Sequence, residues 1–207
     1  MRFVWNKSGD IVIFNSTRIR QVNTDNMIFK ETNIEGLYTI ELNPFNDLRG
    51  QLLKPFNAEE YWMNLPENVN LDIKETWFTK SKLNVIRAMH LQVGEMACEK
   101  IVSIIQGRVH DVILDIREDS RTYGKYFDII LDDEKPMALY IPIGCAHGYK
   151  VLKDNSIVMY MATQLHSAKD DVGIRYDSFG FDWGLENPIL SEKDQNLPPF
   201  GDYKFHK

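Results

Sequence analysis

Along most of this chain, apolar and polar residues alternate in short runs, and each run ends at a turn signal. Period two over four to eight residues marks a half-buried strand. The runs "RFVW" and "IVIF" flank "NKSGD", "GLYTIEL" stops at "NPFNDLRG", and "KIVSII" meets "RVHDVILDI" at "QG". Farther on, "YFDIIL" and "MALYIP" flank "DDEKP", while "GYKVL" and "IVMYMATQ" flank "KDNS". Turn-bounded strands of this length predict a sandwich or barrel. One stretch, "NAEEYWMNL" over 57–65, predicts a short helix with Asn57 as N-cap and acids in its first turn. A strand–helix–strand rhythm is missing, which argues against a dinucleotide-type parallel sheet. The tail beyond Phe179 is irregular and rich in Pro, Gly, Asp and Trp. It is expected to pack along the barrel rather than form a second domain.

Length and charge narrow the field. A chain of 207 residues suits one domain, with about 70% of its unfolded surface buried. A net charge of −6 and a pI near 5.4 argue against nucleic acid as a partner. They leave room for a phosphorylated small molecule held by a few local cations. Cys98 and Cys145 are the two cysteines, neither a disulfide framework nor a zinc pattern, so a reducing compartment is expected. No apolar run reaches the length of a membrane span, and the early polarity of "MRFVWNKSGD" does not suit a signal peptide. The expected location is the cytoplasm, with no membrane partner.

Several polar residues stand where a strand should be apolar. In "NVIRAMHLQ", over 84–92, plain alternation puts Arg87 and Met89 on one face and Ala88, His90 and Gln92 on the other. His90 is then either a core histidine bonded to backbone or part of a cavity wall. In "YIPIGCAHGY", Pro142, Gly144 and Gly148 surround His147. This is either a plain hairpin turn or a turn that sets His147 at a barrel mouth. Lys100 reads alone as a solvated strand end, Tyr160 as a core tyrosine and Asp194 as a helix cap or loop residue. A P-x-G-x-x-H turn in a many-stranded β protein resembles the second motif of the cupin superfamily, whose members often bind a metal. Here the first motif reads His90-Leu91-Gln92. A neutral Gln is a poor metal ligand, so no metal is expected.

Taken in order, these signals resemble the dTDP-4-dehydrorhamnose 3,5-epimerases and related nucleotide-sugar epimerases of the cupin superfamily. The likeness runs over roughly 34–195. It rests on Phe45, Asp47, Arg49 and Gly50 in "F-x-D-x-R-G"; Arg87, His90 and Gln92 in "R-x-x-H-x-Q"; and Lys100 in "K-I-V". It continues through the "GRVHDVILDIREDSRTYGK" run from Gly107 to Lys125, "IPIGCAHG" from Ile141, Tyr160, "GIRYD" from Gly173, and "ILSEKD" ending at Asp194. The resemblance implies an all-β cupin jelly-roll barrel with few short helices, in one domain over 1–207. Residues 34–195 would be the epimerase core, and 1–33 an added N-terminal hairpin and extension. It implies inversion at C3, C5 or both of a nucleotide-diphospho-4-keto-6-deoxysugar, without a cofactor. By motif position His90 is the base, Asp194 orients it, Tyr160 is the acid on the opposite face, and Lys100 lies near the enolate oxygen. Arg49, Arg87, Gln92 and His147 match residues that position the substrate. A homodimer is expected, since exposed sheet edges need covering. The alternatives are a metal-dependent cupin isomerase or dioxygenase, or a non-catalytic sugar-binding cupin.

The chain also departs from the family pattern. Ala88 takes the place of a usual glycine, which is expected to add a methyl group to the pocket wall. The family's substrate-contacting run falls at Glu75–Thr79, so Glu75 and Trp77 are expected at the pocket. A usual acid falls near Lys54, and a usual aromatic pair falls at Leu165 and His166.

Overall fold

The computed structural model describes residues 27–69 and 71–203, together with the backbone of two further strands near the N-terminus. Those two, β1 (Arg2–Trp5) and β2 (Ile11–Phe14), pair antiparallel as a small sheet of their own. The barrel is built from the strands β3 (Ile28–Glu31) and β4 (Tyr38–Glu41) and from those after residue 74. Between them lie the exposed hairpin β5 (Phe45–Asp47) and β6 (Gly50–Leu52) and the helix α1 (Ala58–Asn64). There follow β7 (Glu75–Ser81), β8 (Ile86–Gln92), β9 (Lys100–Gln106), β10 (Arg108–Asp115) and β11 (Tyr126–Asp132). Then come β12 (Met137–Ile141), β13 (Cys145–Val151), β14 (Ser156–Ala162), β15 (Asp171–Gly173) and one turn of helix, α2 (Glu192–Gln195).

Two sheets face each other. One has the order β11-β10-β13-β8-β15, the other β3-β4-β12-β9-β14-β7, and every pairing within them is antiparallel. This is the all-β architecture that the alternating runs predict. β14 shows why: Ser156, Val158, Tyr160 and Ala162 are buried, and the residues between them are half-buried. The inward residues of both sheets, among them Val102, Ile104, Val109, Ile113, Leu139 and Val158, close one apolar core. Each such side chain contributes roughly 1.5–3 kcal/mol on burial.

Both outer faces are covered as well, which is why "KIVSII" and "RVHDVILDI" read as nearly continuous apolar runs. Over the five-stranded sheet lies the C-terminal segment, whose Phe179, Phe181, Trp183 and Leu190 pack on Ala88, Met89, Leu91 and Val112. The irregular tail therefore packs along the barrel, and Trp183 donates its indole N–H to the Tyr176 carbonyl at 2.8 Å. Over the six-stranded sheet lies α1, whose fully buried Tyr61 joins Ile40, Ile101, Ala138 and Tyr140. Asn57 caps this helix as expected, its side chain accepting from the amides of Glu59 and Glu60. The C-terminal covering also brings Ser191, Lys193 and Asp194 to the cavity.

Asp115, at the end of β10, ties the long loop after it to the barrel. Its fully buried carboxylate accepts from the Arg117 amide at 3.0 Å, from Arg117 Nε and Nη2 at 2.9 and 2.8 Å, and from Ser120 and Thr122 hydroxyls at 2.6 Å each. Arg117 in turn donates to the Glu35 carbonyl at 2.7 Å. Burial pushes the Asp115 carboxyl up, but the hydrogen bonds from Arg117, Ser120 and Thr122 outweigh it and hold it below the usual carboxylate range. Such a group adds stability above its unfolded pKa and loses it as pH falls through the lower folded value. Asp115→Asn should therefore lower stability by about 2–3 kcal/mol at pH 7. Urea unfolding should show the gap to wild type closing as pH drops below about 4. A constant gap down to acid pH would mean that charge at Asp115 is not what holds the loop.

Candidate active site

The cavity lies between the two sheets and has a volume of about 500 Å³. Its floor is set by an irregularity in β8. Against β13, His90 pairs with His147, but Arg87 pairs with Tyr149, so three steps on β8 span two on β13. This bulge opposes one extra residue of β8 to a single step and re-aims the side chains beyond it. Ala88 and Met89 both turn outward into the core beneath Trp183, while Arg87, His90 and Gln92 all line the cavity. Plain alternation across 84–92 is thus corrected, for Arg87 joins the face of His90 and Ala88 leaves it. The Ala88 methyl is not on the pocket wall either. It is fully buried in the outer layer. Gly148 makes the bulge fit, because a Cβ there would stand 2.5 Å from the Ala88 methyl and 2.7 Å from the Arg87 carbonyl oxygen.

Asp194 reaches the same cavity from the C-terminal segment. Ile189 bridges to Val85, the residue just before β8, and Ser191 caps α2 by accepting from the Asp194 amide at 3.1 Å. Asp194 Oδ1 then lies 2.9 Å from His90 Nε2. Burial pushes this carboxyl up, but the hydrogen bond and charge of His90, with Ser191 and the Ala88 amide, hold it below the usual range. The other ring nitrogen, His90 Nδ1, is buried and has no hydrogen-bond partner among the described residues.

Across the cavity stands Tyr160 on β14, its ring stacked on Trp77 of β7 with centroids 5.0 Å apart and planes 2° from parallel. Trp77 and Tyr160 are direct cross-strand partners, which sets this stack. His147 meets the Tyr160 ring edge-on at 5.7 Å. Burial raises the Tyr160 phenol well above its ordinary value, with Tyr149 and Asp111 adding to the effect, so it stays protonated at neutral pH. Lys100 at the start of β9 is pushed the other way. Burial disfavours its charge, against the pull of Cys98 and Asp171.

The remaining polar walls are paired. His147 Nε2 lies 3.0 and 2.9 Å from the two oxygens of the fully buried Asp111. Burial pushes the Asp111 carboxyl up against the charge and hydrogen bonds of His147. Arg87 Nε donates to the Ser81 hydroxyl at 3.0 Å, and the Tyr149 hydroxyl lies 2.7 Å from that of Thr79. Gln92 lines the cavity, but its amide is used on backbone: Nε2 donates to the carbonyls of Met96 and Leu165, and Oε1 accepts from the Ser167 amide at 2.6 Å. Glu75 likewise accepts from the His166 amide at 2.7 Å. Among the described residues no cluster of three or more His, Cys, Asp or Glu side chains is placed to hold a metal.

Nine of the ten residues singled out from the sequence therefore share one cavity: Glu75, Trp77, Arg87, His90, Gln92, Lys100, His147, Tyr160 and Asp194. Arg49 is the exception. It sits at the tip of the β5–β6 hairpin with its side chain 87% exposed, paired with Asp47. The structure adds Asp171, Lys193 and His166 to the lining. In the sequence His166 is notable only as a departure from a usual aromatic pair and Lys193 only as part of "ILSEKD"; Asp171 does not stand out, since "HSAKDD" reads as a polar turn. Asp111 could have been found, because it falls in phase with the inward Val109 and Ile113.

Comparison with known proteins places this architecture. A family model described as dTDP-4-dehydrorhamnose 3,5-epimerase matches residues 31–202. The Methanothermobacter thermautotrophicus protein of that name is 35% identical over 176 residues, 83% of this chain and 93% of its own. The Shigella flexneri protein of that name is 33% identical over 83% of this chain and 95% of its own. A crystal structure of the enzyme from Elizabethkingia anophelis superposes with a TM-score of 0.80 at 32% identity, covering 87% of this chain and 100% of its own. A crystal structure of the dTDP-6-deoxy-D-glucose-3,5-epimerase from Legionella pneumophila, in complex with dTDP-4-keto-L-rhamnose, gives 0.81 at 30% identity, over 86% of this chain and 95% of its own. With the cupin-type barrel and the match running along most of its length, this chain belongs to the dTDP-4-dehydrorhamnose 3,5-epimerase family and is a carbohydrate epimerase.

Proposed function

We propose that the chain inverts C3, C5 or both of a nucleotide-diphospho-4-keto-6-deoxysugar, with His90 as base and Tyr160 as acid. The observation that carries this reading is the His90–Asp194 contact facing Tyr160 across a single cavity. A ketone at C4 acidifies the hydrogens on C3 and C5, so the chemistry needs a base on one face, an acid on the other and a cation near the enolate oxygen. With the Nε2 proton directed at Asp194, the lone pair of His90 is on Nδ1, which can take the sugar's proton. Asp194 then stabilises the imidazolium, as a carboxylate does in other histidine dyads. The electron pair left on carbon spreads to the C4 oxygen, where Lys100 supplies positive charge. Tyr160, kept protonated by its burial, returns a proton to the opposite face; water then re-protonates its phenolate and takes up the proton held by His90, which restores both groups. Arg87 and His147 would position the sugar and diphosphate, with Trp77 and Glu75 shaping the wall. Gln92 would act through the backbone of Leu165 and Ser167 that it holds. Residues 34–195 form the core of this reading, with 1–33 as an extension.

The same reading makes the protein a homodimer. Arg49 stands on a hairpin whose Phe45, Leu48 and Leu52 are all exposed. A second copy would cover those side chains and offer Arg49 a cavity that its own chain does not.

Three outcomes test this. Tyr160→Phe should lower inversion by about a hundred- to ten-thousand-fold, yet leave solvent deuterium exchange at the acidic carbon far less affected, since His90 can return its own proton. An unchanged ratio of inversion to exchange would remove Tyr160 from the acid role. Asp194→Asn should slow exchange by about a hundredfold while the fold, read by circular dichroism, survives. For the dimer, Arg49→Ala and His90→Asn proteins should each be inactive, and mixing them after subunit exchange should restore about a quarter of the sites. A wild-type monomer in sedimentation at micromolar concentration would contradict the shared site.

A further inference from the structure

The base has a second acidic neighbour. Asp171 opens β15, which lies against β8 with Asp171 opposite Gln92 and Gly173 opposite His90. Its Oδ1 stands 4.0 Å from His90 Nδ1, the ring nitrogen that Asp194 does not occupy. That nitrogen is buried and has no hydrogen-bond partner among the described residues. At 4.0 Å the contact is one of charge rather than a hydrogen bond. The other oxygen of Asp171 accepts from Lys193 Nζ at 2.6 Å and lies 3.3 Å from His166 Nε2. Lys193 is the neighbour of Asp194 in α2, so one helical turn supplies both the partner of the base and the cation that restrains Asp171.

We propose that Asp171 is a positioning residue for the base, a second carboxylate that stabilises His90 once Nδ1 carries a proton, with Lys193 setting how strongly it does so. The inference rests on His90 being the base. The imidazole is flanked at Nε2 by Asp194 and near Nδ1 by Asp171. The other charged or titratable groups around it are His147 of β13, paired with Asp111, then Lys193 and His166. Arg87 stands beside it on the same strand, and Glu75, Cys98, Lys100 and Tyr160 also line the cavity. Of these, Asp171 is held by two cations or potential cations and so can be weakened or strengthened independently of Asp194. Burial pushes the Asp171 carboxyl up, but Lys193, His90 and His166 outweigh it and keep it ionised at neutral pH. Removing Asp171 takes away negative charge and frees Lys193, and both changes disfavour the imidazolium. Removing Lys193 leaves Asp171 uncompensated and favours it. The two variants must therefore move His90 in opposite directions, which loss of packing alone would not do.

The test is an NMR titration of the substrate-free protein, following the imidazole C–H signals of its five histidines, with His90 assigned by its absence in His90→Asn. In Asp171→Asn the His90 midpoint should fall by about half to one pH unit. In Lys193→Met it should rise by a similar amount, and Asp171→Glu should bring it back toward wild type. The acid limb of the pH–rate profile should follow these shifts. If both midpoints stay within about 0.2 unit of wild type, or move in the same direction, the proposal is overturned. The titration needs no substrate, so its failure would leave the role of His90 standing. An active His90→Asn protein would instead overturn the base assignment while leaving the titration readable.

Discussion

The site depends on one extra residue in a strand. Residues three apart on a regular strand face opposite ways, so Arg87 and His90 could not both enter the cavity without the bulge against β13. The bulge sends Ala88 and Met89 together into the outer layer, where Leu91 and Trp183 receive them. Its cost is a close approach of backbones, which only the missing side chain of Gly148 allows. The C-terminal segment then covers this outer layer and, in the same course, carries Asp194 and Lys193 to the mouth of the barrel. Packing on one side of β8 and chemistry on the other are thus fixed by the same local feature.

Inside the barrel, most polar side chains are paired. Asp111 takes up His147, Thr79 takes up Tyr149, and backbone takes up Gln92. Each pairing avoids the penalty of an unsatisfied buried group and holds a wall rigid. Against these walls stand His90, one ring nitrogen of which has no hydrogen-bond partner among the described residues, a phenol kept protonated by burial, and a lysine whose charge burial disfavours. Groups in a low-dielectric pocket act more strongly on a developing charge than they would in water.

Much of this was legible in the sequence. Alternation located most of the barrel strands, because one face of each meets the core, and Asn57 announced its helix through its cap. Lys100, Tyr160 and Asp194 gained meaning only from their order along the chain, since each alone reads as an ordinary strand or loop residue. What failed did so for physical reasons. A bulge leaves no mark in a period-two pattern, so Arg87 and Ala88 were put on the wrong faces. β15 is three residues long and bracketed by charge, which hid Asp171. Gln92 faces the cavity as expected, but nothing in the sequence shows that its amide is used up by the backbone of Met96, Leu165 and Ser167. Arg49 carries a family motif, yet its place depends on contacts outside a single chain.

The central claim is that His90 removes the proton next to the ketone. Its most direct test is proton NMR of a nucleotide-diphospho-4-keto-6-deoxyglucose in deuterated water with wild-type protein and with His90→Asn, which keeps a polar group near Asp194. Wild type should erase the C3 or C5 proton signal, or both, and the variant should do so slower by about a hundred- to ten-thousand-fold, with an unchanged fold. Exchange at a near-normal rate in His90→Asn would contradict the account.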